Sequence, residues 1–394
     1  MNDSDTKEKI QKEKLNDILL HAKQTTEWYK DIDINNFNEI QLLKREDIID
    51  NCEKFISKKY VNKPYRVMQT SGSSGIPLKI RQNMDKKKRN LADVIFFNKC
   101  GNQFIGDRYL FLRGWIKEYK KSKIHQFMTN LIPIDITTLD SLKLKYIKDT
   151  LLRDNKINCI IGYANTLYLL GKFLEENNIK IYNIKSIISS SEVLTKEMSK
   201  TIYKVFPNAI LVSRYANQEN GVLGQQNMQY DYFLMNEASY YIEILSLTDN
   251  KPIKIGEVGR IVVTDLYNKY MPIIRYDTGD LARLKAITPY MKIDEIVGRI
   301  ADSVYDTNGN IISVSAFSNH LEMFEWIKQY QLIQISSKDY ILKIVAKENN
   351  NVKFLYAKLN KIFGSNSNIT IEIVDKIEQE KSGKTKTMIN ETKR

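Results

Sequence analysis

Between residues 109 and 212 short apolar runs alternate with longer amphipathic stretches, and this alternation constrains the fold more than any other feature. Residues 109–112, 159–161, 186–188 and 209–212 read as strands, and 139–154, 165–177 and 195–206 carry apolar residues at helical spacing. Strand, helix and strand in succession imply parallel strands joined by helical crossovers. Upstream, residues 1–60 read as charged and helical, with Leu15, Ile18, Leu19 and Ala22 on one face. A second amphipathic helix is expected over 42–56. Residues 65–69 and 79–80 read as strands on either side of a Ser/Gly loop. From 231 to 300 the pattern turns β-rich, with strands over 240–247 and 259–264 and a turn at 257–259. After Arg299 the order is β, α, β, α, β over 311–314, 316–329, 340–346, 352–363 and 370–374. The expected fold class is α/β. A large N-terminal domain of α/β sheets with a β-rich subdomain would cover 1–299, and a small mobile α+β C-terminal domain 300–394.

Composition excludes several function classes. The 394 residues are 42% apolar and 27% charged, a globular mixture that can bury a sizeable core. No run approaches the ~18 apolar residues that cross a bilayer, so no membrane insertion is expected. The opening MNDSDTKEKIQKEKLND has no apolar signal core, so secretion is not expected either. Cys52, Cys100 and Cys159 are odd in number and far apart, which gives neither a disulfide framework nor a CxxC zinc pattern. A reducing, cytoplasmic setting follows as the expectation. The formal net charge of +13 suits acidic ligands. It also admits a nucleic-acid-binding reading, but the basic residues are spread along the chain and no nucleic-acid motif is present, so no nucleic-acid partner is expected.

Glycine is scarce, 16 residues against a usual ~7% of a chain, so a local cluster of it carries information. Thr70-Ser71-Gly72-Ser73-Ser74-Gly75 puts two glycines and four hydroxyls in six residues between strand-like flanks. Freed backbone N–H groups and hydroxyl donors there would make an anion site suited to a triphosphate. It is not a Walker loop, which ends in Gly-Lys-Ser/Thr; read alone, it is also an ordinary flexible turn. Arg214, Tyr215 and Glu219 follow the strand 209–212, where an aromatic can stack on a purine and a carboxylate can hold magnesium through oxygen. Asp280, in Tyr276-Asp277-Thr278-Gly279-Asp280, could accept from both hydroxyls of a ribose. Gly298-Arg299, with Asp302 close behind, marks the change of texture, and Lys384 lies in a basic stretch that reads equally as solvated charge.

Each of these signals is weak alone, but their order is specific. The Ser/Gly loop, Ser191-Glu192, Tyr215 with Glu219, Thr278-Gly279-Asp280, Gly298-Arg299 and Ser382-Gly383-Lys384 together resemble the adenylate-forming superfamily of acyl-CoA synthetases and adenylation domains. Trp28-Tyr29, the stretch 42–48 and Met271-Pro272-Ile273-Ile274-Arg275-Tyr276 are similar to its phenylacetate–CoA ligase and CapK-type branch. The resemblance implies that Thr70, Ser71, Gly72, Ser73, Ser74 and Gly75 hold the β- and γ-phosphates of ATP. By the same resemblance Ser191 and Glu192 border the adenine, Arg214 lies beside it, Tyr215 stacks on it and Glu219 ligates Mg2+. Asp280 would bind the ribose, Arg299 the ribose and phosphate, and Asp302 would be the hinge. Lys384 would be the catalytic residue, reaching the α-phosphate and the acyl carboxylate. Phe96, Phe97, Gly162, Tyr163 and Ala216 would shape the acyl pocket, Ala216 narrowing it where relatives have glycine.

The chemistry so implied is ATP-dependent activation of a small carboxylic acid to an acyl adenylate, with loss of pyrophosphate. Transfer to the thiol of coenzyme A would follow, or in the alternative reading to an amine, giving an amide.

Overall fold

The computed structural model describes residues 3–69, 78–115, 121–227, 230–300, 303–321, 323–324, 326–346, 352–380 and 384–392. Along the chain come α1 (Asp3–Thr25), α2 (Arg45–Asp50), β1 (Tyr65–Gln69), β2 (Lys79–Asn83), α3 (Met84–Cys100), β3 (Arg108–Arg113), α4 (Lys123–Met128), β4 (Leu131–Asp135), α5 (Ser141–Arg153), β5 (Ile157–Tyr163), α6 (Ala164–Glu176), β6 (Ser186–Ser190), α7 (Lys196–Val205) and β7 (Ile210–Asn217). There follow β8 (Gly221–Asn227), β9 (Tyr230–Met235), β10 (Tyr240–Leu245), β11 (Val258–Asp265), β12 (Tyr276–Ala286), β13 (Lys292–Arg299), β14 (Val304–Tyr305), β15 (Ile311–Ile312), α8 (Val314–Leu321), β16 (Ile327–Gln334), β17 (Asp339–Ala346), α9 (Val352–Phe363), β18 (Asn368–Ile373) and β19 (Met388–Asn390). The class is mixed α/β, as the alternation implies. The chain divides into two compact units, residues 1–101 with 214–296, and residues 102–213 with 297–394.

The first unit is mostly antiparallel. Its strands run in the order β10-β11-β12-β13-β9-β8, and β8 pairs with the second half of β7. A separate ribbon of β1 and β2 pairs Gln69 with Lys79 at the end from which the Ser/Gly loop leaves. Two cores support it. One packs Leu15, Ile18, Leu19 and Ala22 of α1 against Leu266, Tyr270, Met271 and Ile274. This explains the Met271–Tyr276 motif: the buried Arg275 donates to Glu243 and to the carbonyls of Asn38 and Ile40, while its own carbonyl accepts from Leu43. The other core lies among β8 to β13.

The expected helix over 42–56 is shorter. It spans only α2, because Lys44 N–H is capped by Asp47 and the turn unwinds at Asn51 into a 3-10 segment, Cys52–Phe55. The turn placed at 257–259 lies earlier. Gly256 takes the left-handed φ of +90°, and Val258 already pairs with Arg283.

In the second unit β6-β5-β3-β4 are parallel neighbours, with the start of β7 beside β6. Helices α5, α6 and α7 bury Ile147, Leu151, Leu167, Leu170 and Ile202 against Leu110, Leu112, Ile160 and Ile187. The same unit contains a four-stranded sheet, β18-β17-β16-β19, with α8 and α9 closing its core through Phe317, Leu355, Leu359 and Phe363. The helix expected over 316–329 stops at Leu321, since β16 from Ile327 is claimed by pairing with β17.

Candidate functional site

In the first unit the sheet gathers Tyr215, Asp280 and Thr278. Arg214 to Asn217, expected in a loop after the strand, continue β7, with a bulge between Tyr215 and Ala216. A bulge re-aims side chains. The buried Tyr215 hydroxyl donates to Asp280 Oδ2 at 2.7 Å. Burial first, then the Asp280 carboxylate, hold the Tyr215 phenol well above its usual range, so it stays a donor. Asp280 lies in β12 beyond a turn-like irregularity: Gly279 has φ +73°, its N–H donates to Asp277, and Asp280 N–H donates to Thr278 Oγ1 at 3.2 Å. Thr278 in turn donates to Ile261 O at 2.9 Å, which fixes this stretch on β11.

Glu219 sits in the β7–β8 turn and is buried. Tyr276 OH donates to its Oε1 at 3.3 Å, Arg45 stands at 3.9 Å, and its carbonyl accepts from Gln82 at 3.0 Å. No cluster of three His, Cys, Asp or Glu exists among the described residues. One buried carboxylate is what a Mg2+ that keeps waters and takes substrate phosphates asks of a protein, so Glu219 fits that ion.

Arg214 is committed elsewhere, donating to Gln225 at 2.7 Å and Asn98 at 2.6 Å. Phe97 is buried and its carbonyl accepts from Gln225, while Phe96 is 55% exposed and meets Phe97 edge-on. Ala216 is partly buried opposite Val222.

In the second unit a different group assembles at the carboxyl ends of β5 and β6, where parallel sheets bind ligands. Ser191, in the left-handed region at φ +68°, turns the chain so that Glu192 faces α6. Glu192 Oε2 accepts from Asn165 N at 2.8 Å, at the start of α6, and Oε1 accepts from Thr385 N at 2.9 Å. Asn165 Nδ2 donates to Thr385 Oγ1 at 2.9 Å. Lys384, held by this clamp, carries its Nζ 5.7 Å from the Tyr163 ring centre. Burial lowers the Lys384 ammonium from its ordinary value, with Arg299 and Arg113 adding to the effect and Glu192 and Glu380 opposing it. Burial raises the Glu192 carboxyl to about 7, against the pull of the two N–H groups and of Lys384. Arg299 is exposed at the end of β13. Gly162 has a packing reason: a Cβ there would stand 3.3 Å from Leu112 and Leu167.

The structure therefore brings Tyr163, Glu192 and Lys384 together in one unit, with Arg299 acting on Lys384 through its charge, and Tyr215 with Asp280 in the other. Thr70, Ser71, Gly72, Ser73, Ser74, Gly75 and Asp302 lie outside the described residues. Asn165 and Thr385 are added by the structure, which also gives the motif residues Thr278 and Tyr276 their contacts with Asp280 and Glu219. For Thr385 the only sequence signal is adjacency to Lys384.

Comparison with known proteins gives this geometry a context. The CapK C-terminal domain family matches residues 304–391. Over 98% of the chain, and 89% of the relative, it is 25% identical to Protein CapK of Staphylococcus aureus. Phenylacetate-coenzyme A ligase of Escherichia coli K12 is 28% identical across 29% of the chain and 27% of its own length. Among solved structures, 2-hydroxyisobutyryl-CoA ligase in the postadenylation state with R3-HIB-AMP aligns with a TM-score of 0.79, at 13% identity, over 100% of this chain and 91% of that one. The chain thus shares the fold of 2-hydroxyisobutyryl-CoA ligase, and residues 304–391 match the CapK C-terminal domain family.

Proposed function

We propose that the chain activates a small carboxylic acid with ATP, releasing pyrophosphate, and transfers the acyl group from the adenylate to coenzyme A. The observation that carries this reading is the clamp of Glu192 and Asn165 on Thr385, which holds Lys384 beside Tyr163 at the carboxyl ends of the parallel strands.

The substrate carboxylate attacks the α-phosphorus, and the bond to pyrophosphate breaks. Lys384 supplies positive charge where negative charge develops on the α-phosphate, an electrostatic contribution set up before the reaction. Asp280, oriented by Tyr215, accepts from the ribose hydroxyls and fixes the nucleoside, so the reaction is catalysed by positioning and charge. The loop residues Thr70, Ser71, Ser73 and Ser74 would take the departing phosphates. Magnesium held by Glu219, when bound, neutralises charge on the leaving group. The adenylate is a mixed anhydride whose carbonyl then accepts a nucleophile.

Homology to phenylacetate–CoA ligase supports a thiol as that nucleophile; transfer to an amine is the competing outcome. The second step would need residues 300–394 to turn about a hinge near Asp302, carrying Lys384 away. Carboxylate-dependent ATP–pyrophosphate exchange tests the first step. Adding coenzyme A or an amine panel then identifies the acceptor.

A further inference from the structure

Four of the five most exposed large apolar side chains described in the second unit lie on two turns that are tied together and on the short helix leading into one of them. Residues 104–107 and 127–130 form two tight turns, closed by Asp107 N to Phe104 O at 3.1 Å and Asn130 N to Phe127 O at 3.2 Å. Asn130 Nδ2 donates to Gly106 O at 2.8 Å and ties one turn to the other. On these turns Ile105 is 84% exposed, Phe127 85% and Met128 77%, and Ile124, one helical turn back on α4, is 74% exposed. A single exposed apolar residue is ordinary, but four on neighbouring turns form a patch that marks an interaction site.

The surroundings are cationic. Lys121, Lys123, Arg153 and Lys156 are exposed, and Arg108 pairs with Asp154 at 2.6 Å beneath them. A polar depression lined by Gly106, Arg108, Asn130, Arg153, Lys156 and Asn158 opens at the base of the turns, with Asp107 and Asp154 as its two carboxylates. The depression thus sets three cations against two carboxylates, and Lys121 and Lys123 add two more cations just before Ile124. The two turns and the depression lie where β3, β4 and β5 begin. Tyr163 and Glu192 lie at the opposite ends of the parallel strands, so the patch is no part of the site described above.

We propose that this amino-end face is a peripheral docking surface for an anionic lipid bilayer. The tips of Ile105, Ile124, Phe127 and Met128 enter the headgroup–acyl boundary, and the surrounding cations meet lipid phosphates. The charge argues for this occupant. A second copy would bring the same cations against themselves, in a chain of net charge +13. The depression at their base is lined by polar side chains and offers no apolar groove to a peptide helix or strand, whereas a fluid interface accepts separate apolar tips. No helix among the described residues is long and apolar enough to cross a membrane, so the contact is interfacial.

Flotation of the full chain with vesicles tests the proposal. Vesicles of phosphatidylcholine mixed with phosphatidylglycerol should carry the protein up, and pure phosphatidylcholine should not. Ile105→Ser with Phe127→Ser should weaken flotation at least about tenfold, as expected when buried apolar area drives binding. Lys123→Glu with Lys156→Glu should do the same and remove the salt dependence. These positions are exposed, so circular dichroism and pyrophosphate exchange should match the wild type. Absence of flotation with anionic vesicles overturns the proposal, as do variants that float like the wild type. Concentration-dependent dimerisation that the Ser pair abolishes would assign the face to a second copy instead.

Discussion

Replacing Glu192 with glutamine asks what holds Lys384 in place. The wild-type carboxylate accepts from Asn165 N at 2.8 Å and Thr385 N at 2.9 Å. Glutamine keeps the volume but turns one acceptor into an NH2 donor, which then faces a backbone N–H. One charge-assisted hydrogen bond is lost and the other becomes neutral. With about 1.5–3 kcal/mol for a charged bond and about 0.5–1.5 for a neutral one, the docked position of residues 384–385 loses roughly 2.5–4.5 kcal/mol. At about 1.4 kcal/mol per decade, pyrophosphate exchange should fall roughly 60- to 1500-fold. The assay is exchange at saturating ATP and carboxylate at a pH above 7, where Glu192 is ionised, run beside consumption of chemically prepared acyl adenylate by the acceptor. The second reaction does not use docked Lys384 and should keep its rate. A folded Glu192→Gln protein with wild-type exchange would refute the clamp. So would equal loss of both half-reactions.

The same carboxyl gives a pH signature. With its value near 7, Glu192 becomes a charged acceptor as pH rises through neutrality, so exchange should climb there in the wild type and not in Glu192→Gln, while the lowered Lys384 ends activity below the ordinary lysine range. Because the folded value lies above the unfolded 4.5, the native state binds the extra proton between the two, and wild-type stability relative to Glu192→Gln should fall as pH rises from 4.5 to about 7 in denaturant titrations. Asp280→Ala should weaken ATP binding by about 1.5–3 kcal/mol in isothermal titration, with carboxylate binding little changed. Lys86 and Asp265 form an ion pair at 2.8 Å with side chains 0% and 1% exposed. Lys86→Ala strands the carboxylate and should cost about 3–5 kcal/mol in chemical unfolding.

How far the sequence was legible depends on the range of the interactions involved. The strands of the parallel sheet stand out because helix and strand periods differ and both faces are buried, as in β5, whose run 159–161 extends to Ile157–Tyr163. Strand β4 escapes because Pro133 interrupts a short run, which an edge strand paired only with β3 tolerates. Helix α3 hides behind its polar first half, MDKKKRN. Arg214 to Asn217 look like a loop by composition, yet pairing with β8 makes them strand. At the site, Lys384, Glu192, Tyr215 and Asp280 could be singled out from ordered motifs. The role of Glu192 as a clamp could not, since Asn165, Glu192 and Thr385 meet only through the tertiary fold.

The most direct measurement is carboxylate-dependent exchange of labelled pyrophosphate into ATP, with wild type and Lys384→Ala side by side across aryl, fatty and amino acids. The account predicts exchange with at least one acid. In Lys384→Ala that exchange should fall about 100- to 1000-fold, as for loss of a charge that stabilises the transition state, while ATP still binds. Exchange with no acid at all, or equal exchange in both proteins, would contradict it.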